Sequence, residues 1–457
     1  MAKRKYSRRE FVKKNTLAGL GAAVSMGMAP GILANCASDS TVPAILGGRP
    51  VRTEGWPSWP IWNPETDEEL VLKSLRSGVW SRADIVTEFE EKWAETVGAK
   101  RCLATVNGTN ALIASLVQLD IGGGDEVIVP PYTFIATVQA VLMAGAMPVF
   151  VDTDPETFQI DVHKIEAKIT PRTKAILPVH ILGLPADMIK IMEIAKKHNL
   201  VVVEDACQAW LAEINNKKMG TFGDAGCFSF QNSKNLAIGE GGAIVSDNDE
   251  FMDRCFSYHN YGNPYGAIVG EVGAGTVILG TKLRTTEYQA AIGLHQLARL
   301  EEETTKRNEN AAYLKSKIRD IPGILPYKLY KNVTRAAFHL FPFRYKQELF
   351  QGLSRGDFFK ALSAEGIPAT GGYRPLNKMP YLSYALMTKN FQKMYPPEML
   401  DYRRYMEQNQ CPVNDRLCDE AVWIFHSILL GEKSDMDDIA NAIEKIHKNA
   451  GRIKNSV

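Results

Sequence analysis

From about Ala99 to Ser246 the sequence repeats one unit, a short apolar run rich in β-branched residues followed by an amphipathic stretch. The apolar runs are Cys102 to Val106, Glu126 to Pro130, Met147 to Asp152, Lys174 to His180 and Leu200 to Asp205. Strands that are apolar on both faces must be covered on both faces. Helices of this length between them force a mostly parallel sheet. Ala111, Leu112, Ser115, Leu116 and Leu119 recur with helical spacing, and Asp187 stands where it can cap a helix through His198. Two further runs, Gly226 to Phe230 and Gly242 to Ser246, are separated by QNSKNLAIGEG, which is too short for a covering helix. A gap of that kind is where an α/β fold leaves room for a ligand.

The pattern changes after about Leu300. A long charged helix is predicted from about Ala291 towards Lys317, then hairpin-like strands near Ala337 to Tyr345. A helix from Arg355 to Glu365 ends at Gly366, and a final helix is predicted with Ser434 as its cap. The expected organisation is a large domain over 66–300 and a smaller C-terminal α+β domain over 301–457, preceded by an arm over 37–65. An arm from Pro43 to Pro60, rich in Trp and Pro, could lie across a partner.

Charge is unevenly placed. The chain carries 53 Lys and Arg against 52 Asp and Glu, yet residues 1–35 alone hold seven basic residues and one acidic one. The remaining body is mildly acidic, which argues against nucleic acid as the partner, since phosphate binding needs a basic stripe. Ser7, Arg8, Arg9, Phe11, Val12 and Lys13 resemble the twin-arginine export motif, and a Gly/Ala-rich apolar stretch follows to about Ala34. Leu33 to Cys36 resembles a lipobox, so residues 1–36 are read as an export signal with a possible lipid anchor at Cys36. The expected location is the periplasm or its membrane surface. No pair of cysteines has zinc-site spacing, and no HExxH occurs, so no metal site is expected.

Four features converge on one ligand. Asn107-Gly108-Thr109 lies between a strand and a helix N-terminus, where free N–H groups and the helix dipole favour an anion. Asp205 ends an apolar strand, Lys234 lies in the Gly-bounded loop, and Phe134 follows a strand end. Pyridoxal phosphate needs a lysine for its Schiff base, an acid against its ring nitrogen, a phosphate cup and a lid for its ring. The segments EDACQA (204–209), SFQNSKN (229–235) and GEGGAIVS (239–246) resemble the DegT/StrS family of sugar aminotransferases. So do NGTNAL (107–112), GDEVIVPPYTFIAT (124–137) and TTEYQAAIGLHQL (285–297). GGRPVR (47–52), YRPLNK (373–378) and AVWIFHSILLG (421–431) are similar to the branch that holds cyclitol aminotransferases and aminohydroxybenzoate synthases.

The resemblance implies a pyridoxal-phosphate transferase of fold type I. It implies Lys234 as the lysine that holds the coenzyme, and Asp205 as the partner of its ring nitrogen. It implies Gln208 at the ring hydroxyl, Phe134 stacked on the ring, and Gly108, Thr109 and Ser229 at the phosphate. One position departs. Where the family has Gly-Tyr-Asn-Tyr-Arg this chain has Gly280-Thr281-Lys282-Leu283-Arg284, so Lys282 would reach the phosphate of a neighbouring subunit in a homodimer. His180, His259 and His339 fall at positions the family places near the site, and Cys207 is read as a buried thiol. The implied activity moves an amino group from glutamate or glutamine to a keto-sugar or keto-cyclitol by a ping-pong route. An exported protein that keeps the fold and binds the coenzyme without turnover is the alternative. A nicotinamide oxidoreductase is a weaker one, because the glycine triplets lack the GxGxxG frame.

Overall fold

The computed structural model describes residues 41–267 and 275–456. The proposed export motif, the apolar stretch behind it and Cys36 lie outside them.

Strands β1 (Arg101–Thr105), β2 (Glu126–Val129), β3 (Met147–Phe150), β4 (Thr173–Ile176), β5 (Val201–Asp205), β6 (Ala225–Ser229) and β7 (Gly242–Ser246) form one seven-stranded sheet in the order β1-β7-β6-β5-β4-β2-β3. Only β7 runs against its neighbours. The absence of a helix between β6 and β7 has this consequence: a short connection can only return the chain antiparallel. Period-two alternation divides the strands between two buried clusters. Val127, Val129, Ala175 and Val203 face one, and Ile128, Ile176 and Val202 face the other. The first is covered by α3 (Gly108–Gln118), α4 (Ile135–Met143) and α6 (Asp249–His259). The second is covered by α2 (Asp84–Val97), α5 (Met188–His198) and the start of α7 (Glu287–Ile318), with α1 (Pro64–Ser77) packed on it through Leu70. Phe89 and Trp93 of α2 are fully buried there, each contributing about 2–3 kcal/mol of transfer free energy. Asp187 caps α5 as expected, its side chain accepting from the Lys190 N–H at 3.1 Å.

A second, antiparallel sheet has the order β8-β9-β11-β10, formed by Ile324–Pro326 (β8), Leu340–Tyr345 (β9), Thr370–Gly371 (β10) and Ala421–Phe425 (β11). Helices α8 (Arg355–Ala364) and α9 (Lys433–Lys448) accompany it. The cap of α9 is Glu432, not Ser434: Glu432 and Asp435 exchange side-chain and backbone hydrogen bonds in a capping box. Glu432 precedes the first helical residue, whereas Ser434 already lies within the first turn.

The arm expected to lie across a partner is anchored on its own chain. Buried Glu365 accepts from the Ala44 and Val51 N–H groups at 2.8 and 2.9 Å and pairs with Lys445 at 3.0 Å. Arg52 pairs with Asp435 and Asp438, and Trp56 donates to the Gly366 carbonyl at 2.9 Å. Trp59 reaches furthest, donating to the Lys234 carbonyl at 3.1 Å.

Candidate active site

The carboxyl ends of β1, β2, β5 and β6 share one edge of the first sheet, and the segments leaving them line a cavity of about 500 Å³. Gly108, Thr109, Phe134, Asp205, Gln208, Ser229 and Lys234 all line it. Seven of the eight residues singled out from sequence are thus brought together. The eighth, Lys282, is exposed, pairs with Asn260 through a backbone bridge, and does not line the cavity.

Asn107 caps α3 through its side chain, which accepts from the Asn110 N–H at 2.8 Å. The N–H groups of Gly108 and Thr109 have no protein acceptor among the described residues. The Ser229 hydroxyl accepts weakly from the Gln231 N–H at 3.4 Å, so its own proton is free. A Cβ on Gly108 would lie 2.7 Å from Cys207 Sγ and 2.9 Å from Ser229 Cβ, so only glycine lets the helix end come this close to the floor. Free N–H groups at the start of an 11-residue helix, with two hydroxyls beside them, suit a phosphate.

Asp205 is held from two sides. Thr137 Oγ1–H donates to Oδ2 at 2.7 Å, itself bonded to Thr133 at 2.8 Å, and the Cys207 N–H donates to Oδ1 at 3.2 Å. Beneath it, fully buried Glu204 accepts from His180 at 3.0 Å and from the Gly220, Phe222 and Gly223 N–H groups, fixing the end of β5. The Leu182 N–H, in a left-handed turn (φ 64°), donates to Gln208 Oε1 at 2.7 Å. Gln208 Nε2 therefore faces the cavity side and donates to Tyr373 OH at 2.9 Å.

Lys234 Nζ has neither an ion pair nor a hydrogen bond to protein among the described residues, and lies 6.0 Å above the Trp210 ring. Burial pulls its ammonium below the usual lysine range, and the nearby Asp205 carboxylate only partly opposes this. The loop carrying it is clamped: Trp59 donates to the Lys234 carbonyl, His426 Nε2 to the Ser233 carbonyl at 3.1 Å, and Asn235 Nδ2 to the Ala337 carbonyl at 2.9 Å. Phe134 stands at the N-cap of α4, 55% exposed at the cavity mouth.

The three histidines separate. His339 lines the cavity, while His180 supports Glu204 and His259 is buried at the end of α6. Cys207, expected as a buried thiol, is half-buried and lines the cavity, with burial pushing its thiol well up. Thr137, Tyr373, Trp59 and His426 were not singled out from sequence. Thr137 had a signal, because Thr133 and Thr137 are four apart on either side of Phe134. Trp59 and His426 are brought to the lysine loop, and Tyr373 to Gln208, by tertiary packing, and they carry no local signature.

The DegT/DnrJ/EryC1/StrS aminotransferase family matches residues 63–444. The chain is 32% identical over 421 residues to an L-glutamine:2-deoxy-scyllo-inosose aminotransferase of Streptomyces kanamyceticus, covering 88% of this chain and 96% of that protein. It is 39% identical over 317 residues to the GDP-perosamine synthase of Caulobacter vibrioides, covering 69% of this chain and 83% of that one. Among solved structures, 3-amino-5-hydroxybenzoic acid synthase superposes with a TM-score of 0.74 at 30% identity, covering 88% of this chain and all of the other.

Proposed function

The chain belongs to the DegT/DnrJ/EryC1/StrS aminotransferase family, and from that premise we propose that it uses pyridoxal 5'-phosphate to move an amino group from glutamine or glutamate to a keto-cyclitol or keto-sugar. The observation that carries the reading is the meeting of an unpaired, buried Lys234 with an anchored Asp205 and a free helix N-terminus in one cavity. The relatives' names support the acceptor class, since two of them act on a cyclitol ketone and a nucleotide sugar.

The residues present fit the coenzyme. The Gly108 and Thr109 N–H groups and the Thr109 and Ser229 hydroxyls would hold its phosphate. Asp205, kept in place by Thr137 and Cys207, would hold the proton on the ring nitrogen. Gln208 would donate to the ring hydroxyl, and Phe134 would cover the ring. Bound there, the coenzyme supplies an electron-withdrawing ring that stabilises the carbanion at the donor's α-carbon.

Lys234 then supplies the proton chemistry. Its lowered ammonium pKa raises the share of free amine near neutral pH, the form that acts as nucleophile and base. In each half-reaction the same amine would take a proton from one carbon and return it to another, ending as it began, so a single lysine would serve both halves of a ping-pong reaction. The Trp59 and His426 bonds hold the Lys234 and Ser233 carbonyls, and the Asn235 side chain ties the next residue to Ala337, so the loop is tethered around the lysine.

Exposed Lys282 is read as a contact to the phosphate of a second copy, which makes the working unit a homodimer. The first 36 residues are read as a twin-arginine signal, with Cys36 as a possible lipid site, which places the enzyme beyond the inner membrane. Fractionation of an Arg8→Lys/Arg9→Lys variant tests that: active enzyme is expected in the cytoplasm, and arrival of the variant in the periplasm refutes it.

The central test is a two-stage titration. The yellow form is expected to bleach with glutamine or glutamate and to recover with scyllo-inosose or a keto-sugar. A yellow protein that no amino donor bleaches favours the coenzyme-binding alternative instead.

A further inference from the structure

His339 is fully determined in orientation and in protonation by its neighbours, and the structure gives that determination a use. Asn235 is buried and its Nδ2 donates to the Ala337 carbonyl at 2.9 Å. A carbonyl only accepts, so the amide cannot be turned round, and its Oδ1 is the atom 3.2 Å from His339 Nδ1. That oxygen also only accepts, so Nδ1 carries the imidazole's hydrogen. Burial, with Lys234, His426 and Arg307 nearby, holds the ring well below the usual histidine range. The neutral ring therefore has a bare Nε2.

The ring is packed against Trp210, Phe425 and His426. Nε2 has no protein partner among the described residues, is not among the closed-off polar atoms, and belongs to a residue that lines the cavity with Lys234. Tyr373, on the same cavity, has the opposite character. Its oxygen accepts from Gln208 at 2.9 Å and burial pushes its phenol up, so it keeps a proton to donate. One cavity thus presents a fixed acceptor and a fixed donor beside the reactive lysine. A polyhydroxylated ring satisfies both, because each hydroxyl donates and accepts. Glutamate and 2-oxoglutarate carry neither a hydroxyl nor an amide hydrogen for the bare nitrogen.

Resting on the aminotransferase reading, we propose that His339 is a specificity-determining residue whose Nε2 accepts a hydrogen bond from a hydroxyl of the acceptor ketone, so that it acts in the second half-reaction and not in the first.

The test uses the full chain loaded with coenzyme and bleached by its donor. Recovery of the yellow form is timed with scyllo-inosose and, separately, with 2-oxoglutarate. In His339→Phe, which keeps a flat ring and removes the acceptor, recovery with scyllo-inosose should slow by about tenfold while recovery with the keto acid changes by less than about twofold. Equal slowing with both ketones, or no slowing with either, overturns the proposal. If His339→Phe does not retain coenzyme, His339→Leu, which also lacks an acceptor, is read by the same ratio. Nitrogen-15 NMR of histidine-labelled wild-type protein, before coenzyme is added, gives an independent reading: a bare Nε2 on His339 is expected, and a protonated Nε2 overturns the proposal even if no variant folds. A wild-type enzyme that no donor bleaches sinks the aminotransferase reading and this inference with it, whereas normal wild-type turnover with an unaltered variant ratio sinks the inference alone.

Discussion

Gly108→Ala puts a methyl group into the closest approach in the candidate phosphate cup. The new carbon would lie 2.7 Å from Cys207 Sγ, 2.9 Å from Ser229 Cβ and 3.1 Å from the Phe228 carbonyl oxygen. The sulfur contact alone is about 0.7 Å short of an ordinary 3.4 Å approach, and neither β5 nor β6 can retreat, because both lie inside the sheet. The start of α3 must therefore lift. Alanine is the better helix former by about 1 kcal/mol, and overpacking costs about 1–3 kcal/mol, so the coenzyme-free protein should lose about 0–2 kcal/mol of stability. Coenzyme affinity should suffer more. A lift of about 0.7 Å stretches an N–H to phosphate bond from about 2.9 to about 3.6 Å, outside the range of a hydrogen bond. One lost bond to a charged group, worth about 1.5–3 kcal/mol, weakens binding by about 10- to 100-fold. Fluorescence titration of coenzyme-free protein with pyridoxal phosphate measures it. The double variant Gly108→Ala/Cys207→Ala removes the nearest clash and should recover part of the loss, with Cys207→Ala alone near wild type. Wild-type affinity in the single variant, or no recovery in the double, would refute the account of the cup.

Asp205→Asn keeps the shape and removes the charge, so the donor half-reaction, followed by bleaching of the yellow form, should slow by several powers of ten while coenzyme stays bound. Thr137→Val deletes the 2.7 Å bond to Asp205 and should slow the same step by about 10- to 100-fold; wild-type rates in either variant count against the anchored carboxylate. Acid should destabilise the fold through its buried histidines. Burial pulls His259 down to about 3, against about 6.5 in an unfolded chain. Between those values the unfolded state takes up the proton and the folded state does not. The stability from burying the neutral ring is thus complete above about pH 6.5 and is lost as pH falls towards 3. His339 and His426 are shifted in the same direction. The urea midpoint should fall between pH 7 and pH 5, less steeply in His259→Gln, and an unchanged slope in that variant would contradict the assignment.

The parallel sheet was legible because its strands are apolar on both faces and separated by helix-length segments. The expected run from Leu200 to Asp205 differs from β5 by one residue, and the run from Gly242 to Ser246 matches β7. The meeting of Asp205 and Lys234 in one cavity was legible because the first ends an apolar strand and the second lies in a loop with no covering helix. The supports were hidden. Trp59, His426 and Asn235 hold the lysine loop through contacts 175 and 193 residues apart or through a backbone carbonyl, and no periodicity records such a bond. The arm's anchorage was hidden in the same way: its Trp and Pro content marks a segment that packs against something, and buried Glu365 and Arg52's pairing with Asp435 supply contacts more than 300 residues away in its own chain. The cap of α9 was misread by two residues because Ser is the commoner cap, whereas here the reciprocal Glu432–Asp435 pair decides the boundary.

Borohydride reduction of the yellow protein followed by peptide mass mapping tests the central claim most directly. Reduction fixes the coenzyme to whichever amine holds it. The account predicts a single adduct on Lys234, within the peptide that includes Ser229 to Asn235, and none in Lys234→Ala. An adduct on another lysine, or one that persists in Lys234→Ala, would contradict it.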